Sequence, residues 1–235
     1  MPAPARQDAQ KVVETTGGTT ATVAMTVSGE NVIGIAFVWG QKAGGTDQPD
    51  SVTWNGVAMT RLDSSENGGN TRGGCYAILG PTTGDVVATW GESYLQREIF
   101  AFVYSGAIQS SLPTIITSRQ SSNEPNVSSI THSITPTVDN SIILSCCKIE
   151  NASAMTSVSP GSFVLQDTTS SWGCHSAEYE KVVAAQVDVV WTRSWQFVAD
   201  IMINVAIEPA AAVETPAAPA AAVVRKRRLM VGVGL

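Results

Sequence analysis

The feature that most constrains this chain is a period of two. Between clusters of Gly, Asn, Asp, Ser and Pro, apolar and β-branched residues recur in alternating or continuous short runs, while the spacing of an amphipathic helix is almost absent. A chain patterned in this way folds as strands joined by turns. The pattern predicts strands over residues 21–27, 31–39, 51–54, 57–62, 74–79, 85–90 and 97–104. After a polar connection at 117–126, it predicts further strands over 127–134, 141–149, 162–166, 173–179, 186–191 and 196–207. The sharpest local signal is Val52-Thr53-Trp54-Asn55-Gly56-Val57-Ala58-Met59. Asn-Gly between two β-prone segments supplies the two positive φ angles of a type I′ hairpin at little steric cost.

The order of these segments repeats. Gly29-Glu30-Asn31 leads into VIGIAFV as Val138-Asp139-Asn140 leads into SIILSCC. Gly56-Val57 matches Gly161-Ser162, Gly74-Cys75 matches Gly173-Cys174, and Val86–Trp90 matches Val187–Trp191. Each half then closes on an apolar strand. The expected fold is an all-β, antiparallel, jelly-roll-like β-sandwich built from two pseudo-repeats, about 20–107 and 127–208, with each repeat lending strands to one sandwich over 20–208 and two separate small sandwiches as the alternative. Core tryptophan is the expected role of Trp90 and Trp191. Residues 1–19 read as an N-terminal arm. Gly44-Gly45, Gly68-Gly69, Gly73-Gly74 and Asn123–Asn126 read as loops that could gather into a polar, adaptable surface at one end.

Residues 209–235 differ in kind. Pro209, Pro216 and Pro219 within an Ala-rich stretch break helix and sheet alike, which predicts an extended C-terminal arm. It closes on four cations, Arg225, Lys226, Arg227 and Arg228, followed by the apolar Leu229, Met230, Val231, Val233 and Leu235. Those cations leave −10 on the remainder of a chain whose total is −6. An acidic body excludes a nucleic-acid-binding surface, and a basic-then-apolar peptide is suited to docking on a partner protein. No apolar stretch approaches the roughly eighteen residues of a membrane helix, and MPAPARQDAQK lacks the apolar segment of a signal peptide.

Catalytic and metal-binding signatures are missing from the sequence. There is no G-x-S-x-G, H-E-x-x-H, Walker loop or G-x-G-x-x-G before a helix, so a non-enzyme without cofactor or metal is expected. Cys75, Cys146, Cys147 and Cys174 lack zinc-ligand spacing and read as small buried hydrophobes, with a Cys75–Cys174 disulfide as the alternative. Strand alternation sends Cys146 and Cys147 to opposite faces. Glu178 and Glu180 share a strand face, and Asp47 and Asp50 share a Gly-rich loop. Both pairs read as solvated acids rather than a glycosidase dyad or a calcium site. His132 and His175 read as structural or exposed. Trp54, Tyr94, Trp172 and Trp195 each lie beside a turn. They are the candidates for stacking on sugar rings, with capping of a sandwich core as the alternative.

GENVIGIAFV, VTWNGVAMTRL, CYAILGPTTGDVVATW, FAFVYSGA and TPTVDNSIILSCC together resemble β-sandwich virion surface proteins of tailed bacteriophages: capsid decoration proteins, head fibres and tail-associated proteins. The resemblance spans roughly residues 20–208. It implies a structural or adhesive part of a particle, made in a host cytoplasm, assembled as copies of itself and joined to other virion proteins, with host glycans as possible ligands. It carries over no individual binding residue.

Overall fold

The structure, a computed structural model, describes residues 1–41, 48–67, 71–121, 128–150, 155–167, 172–193 and 200–211. Among them the chain forms seventeen strands and no helix. The first half contributes β1 (Ala5–Glu14), β2 (Gly18–Met25), β3 (Ile33–Gln41), β4 (Ser51–Trp54), β5 (Val57–Ala58), β6 (Thr60–Asn67), β7 (Thr71–Leu79), β8 (Gly84–Tyr94) and β9 (Gln96–Ser105). The second contributes β10 (Ile116–Ser121), β11 (Ser129–Ile134), β12 (Ser141–Glu150), β13 (Met155–Ser159), β14 (Ser162–Asp167), β15 (Trp172–Lys181), β16 (Val187–Arg193) and β17 (Asp200–Ile207).

These strands form four antiparallel sheets, ordered β1-β9-β3-β7-β6, β2-β8-β4-β5, β10-β17-β12-β15-β14 and β11-β16-β13. No described sheet mixes strands of the two halves. The two five-stranded sheets face each other, β1 lying against β14 and β6 against β10. The two smaller sheets cover their outer sides. The result is four layers and three cores. Phe37, Phe100, Phe102, Leu144, Cys146, Ile203 and their neighbours fill the middle core between the halves. Trp54, Trp90 and Val86 belong to the core of the first half, and Trp191, Ile143 and Met202 to that of the second.

Strand chemistry follows from this layering. In β3, Ile33, Ile35, Phe37 and Trp39 enter the middle core, while Ala36 and Val38 enter the core of the first half. A strand buried on both faces has no polar side to show, so β3, β9, β12 and β17 read as continuous apolar runs. The outer β2 and β16 have one wet face and alternate buried with exposed residues. The expected all-β, antiparallel sandwich packing is present, with each inner sheet covered on both faces. A two-layer sandwich would leave one face of every sheet exposed, and these inner strands have none.

Residues 1–19 differ from expectation. Ala5–Glu14 is not an arm but the edge strand β1, paired along its length with β9. Gly73-Gly74 is not a loop but part of β7, where the Trp39 ring lies over Gly73. A Cβ there would come within 1.7 Å of that ring. The Asn-Gly hairpin is as expected: Asn55 and Gly56 have φ of 45° and 78°, and Trp54 pairs with Val57.

Candidate functional site

Of the residues singled out for sugar stacking, the two whose side chains are described, Trp54 and Tyr94, are both buried. Trp54 is 1% exposed and its indole N–H donates to the Thr82 carbonyl at 2.8 Å. Tyr94 is 1% exposed, with its ring 5.6 Å from that of Trp90. Both rings are spent on the core of the first half, which corrects their assignment as sugar platforms. Tryptophans and tyrosines beside turns close the ends of that core. The side chain of Trp172, and Trp195 as a whole, lie outside the described residues. So do the docking candidates Arg225, Lys226, Arg227, Arg228, Leu229, Met230, Val231, Val233 and Leu235.

The four thiols are free and buried. Cys146 and Cys147 do point to opposite cores. The closest thiol pair is Cys146–Cys174, with sulfurs 3.5 Å apart in the middle core, and not Cys75–Cys174. Burial pushes the Cys75 and Cys174 thiols well up, so both remain protonated and unreactive. Trp90 and Trp191 are core residues, 1% and 0% exposed.

Charged groups tie the halves together. Lys148 of β12 forms an ion pair with Glu98 of β9 inside the middle core, and both are essentially unexposed. Gln96 also donates to Glu98. Burial pushes the Glu98 carboxyl up, and Lys148 opposes that shift. Toward the rim, Glu178 accepts hydrogen bonds from Arg6 and from the Tyr104 hydroxyl, each at 2.8 Å. Lys11 of β1 reaches the Gln166 carbonyl and lies 3.7 Å from Asp167. Glu178 is therefore a junction residue between the halves. Its partners occupy the carboxylate that a paired-acid chemistry with Glu180 would need.

His175 is 0% exposed, and neither ring nitrogen has a hydrogen-bond partner. Burial pushes its pKa down from 6.5 to about 4. The unfolded chain therefore binds a proton that the folded protein does not, across that interval. Stability should fall as pH drops from 6.5 to about 4, by up to about 3 kcal/mol from this group. In urea unfolding, His175→Phe should flatten the fall across that window. An unchanged slope would show that the imidazole is not held neutral.

Two surface features remain. First, Met1 and Pro209–Ala210 are held at the same end of the stack. Asn140 donates to the Met1 carbonyl at 2.9 Å, Ala107 bridges to Pro209, and the Ala210 N–H donates to the Gly106 carbonyl at 2.7 Å. The strand ends Gln41, Thr71, Ser121, Glu150 and Asp200 lie at the other end of the stack, by the pairing of β3 with β7 and of β12 and β10 with β17. Second, a groove of about 350 Å³ opens on the flank of the first half, where the chain passes from the outer sheet at β5 to the inner sheet at β6. Val52, Met59 and Tyr76 form its floor, and Asp50, Ser51 and Arg61 its rim. Nothing local in the sequence marks Arg61 or Tyr76. Only the β6–β7 register sets them opposite each other. No group of three or more metal-ligating side chains occurs among the described residues, and no described helix is long and apolar enough to cross a membrane. No family model, curated protein or solved structure matches the chain.

Proposed function

We propose that the chain is a non-enzymatic structural component of a virus particle, a capsid decoration, fibre or tail protein. Residues 225–235 hold it to other virion proteins, and the particle carries it in many copies. The observation that carries this reading is the placement of Pro209–Ala211, which lead into the basic peptide, at one end of a four-layered body. A tether at that end leaves the opposite end directed outward. The charge division agrees with it, since a +4 peptide on a −10 body is suited to a separate docking surface. Display in many copies would then raise weak outward contacts into useful avidity.

The finer fold belongs to the same proposal. The two halves are copies of one jelly-roll-like unit. Supporting this, replacing β1, β9, β3, β7, β6 by β10, β17, β12, β15, β14 turns one inner-sheet order into the other, and β2, β8, β4 correspond likewise to β11, β16, β13. In each half the chain alternates between inner and outer sheets in the same sequence.

The reading is tested by electron microscopy of particles purified from the source and labelled with an antibody to the folded body. Label on particle surfaces is expected, and particles that remain unlabelled would overturn it. A second reading, a carbohydrate-binding adhesion module recognising host surface glycans, is favoured by the flank groove. On a glycan array the full chain should then bind at least one glycan.

A further inference from the structure

We infer that the flank groove of the first half is a saccharide subsite, built to hold one neutral sugar unit between Asp50 and Arg61 over a floor of Met59 and Tyr76. The inference rests on the second reading above and gives that reading a location.

The groove exists because one stretch of chain serves two sheets. Val57-Ala58 pairs with β4 in the outer sheet, and Thr60 begins the pairing with β7 in the inner one. Met59 spans the crossing, its N–H donating to the Val52 carbonyl at 2.9 Å. The two sheets part at that corner, and Val52, Met59 and Tyr76, all less than a tenth exposed, line the gap. Arg61 stands directly opposite Tyr76 across the β6–β7 pair, and its guanidinium charge opposes the rise that burial gives the phenol. Burial pushes the Tyr76 phenol up to about 12, so it stays protonated. Asp50 is fixed from the other side. Its N–H donates to the Thr89 carbonyl at 2.8 Å, and its carboxylate lies over Gly91, where a Cβ would come within 2.8 Å of Oδ2.

These parts match the chemistry of a sugar. Every hydroxyl of a pyranose both donates and accepts, so it needs an acceptor such as Asp50 beside a donor such as Arg61. Its C–H face needs an apolar floor, which the thioether of Met59 and the ring of Tyr76 provide. One anion and one cation on the rim cancel, which favours a neutral unit over an acidic or basic one. The volume, about 350 Å³, lies at the small end of ligand sites, which run from about 300 to 1,000 Å³. The open flank lets the rest of a glycan continue past the site.

The test uses the full chain labelled with ¹³C at its methionine methyl groups. The Met59 signal is assigned by Met59→Leu and titrated with lactose, maltose and mannobiose at millimolar concentrations. At least one sugar should shift the Met59 signal to saturation. Asp50→Asn and Arg61→Gln should each weaken that binding roughly tenfold or more, because each removes a hydrogen bond to a charged group. Both side chains are exposed, so neither change opens the core. If the glycan array is positive and Met59 does not respond, or responds equally in both variants, the location is wrong while glycan binding stands. A blank array together with a silent Met59 removes both.

Discussion

Lys148→Met is expected to destabilise the protein by about 3–5 kcal/mol, as removing one partner of a buried ion pair does. The variant leaves Glu98, 0% exposed, as an uncompensated carboxylate between two apolar sheets. Charge alone separates this from ordinary packing loss, since Met fills much of the volume of Lys. The double variant Lys148→Met, Glu98→Leu should recover most or all of the lost stability. A buried pair replaced by well-packed apolar groups is often neutral or better. Equilibrium urea unfolding of the three proteins measures both effects. A double variant no more stable than Lys148→Met would mean that the pair is not the source of the loss.

The second large effect concerns the middle core. Phe102 is 0% exposed and packs edge-on against Phe37, with ring centroids 6.1 Å apart and an interplanar angle of 77°. Phe102→Ala should cost about 3–5 kcal/mol through lost burial and the cavity left behind. The distribution of that loss is more informative than its size. Ile142, Leu144, Cys146, Ile201, Ile203 and Val205 of the second half share this core, so both halves should lose protection together in hydrogen exchange. Protection lost only in residues 1–105 would show that the halves are stable independently and merely touch.

What the sequence disclosed depended on how many faces of a strand are buried. The inner strands β3, β9, β12 and β17 were visible as apolar runs, and β2, β8 and β16 as alternation. The three strands not foreseen, β1, β10 and β13, are all edge strands. An edge strand can be polar and short because it closes a sheet without completing a core. ARQDAQKVVE, ITSRQS and MTSVS show no apolar period to detect. The four-layer stack was legible in principle: FAFVY and IILSCC have no polar side, which no sheet with a solvent face can tolerate. Asn31 and Asn140, which the sequence sets in matching positions, both enter an inner strand with positive φ, at 53° and 62°. The groove was hidden because its walls come from residues 49–61 and from Tyr76, joined only by strand register.

The division of the chain into a self-sufficient body and a holding peptide is tested most directly by truncation after Ala211. This cut preserves the Ala107–Pro209 bridge and the Ala210–Gly106 hydrogen bond, which a cut after Ile207 would remove. The quantity to measure is the fraction of the protein that co-sediments with purified particles, for the full and truncated chains, at equal thermal stability. An unchanged melting temperature and loss of co-sedimentation on truncation are expected. A truncated chain that melts as the full chain does and still sediments with the particles would contradict this division.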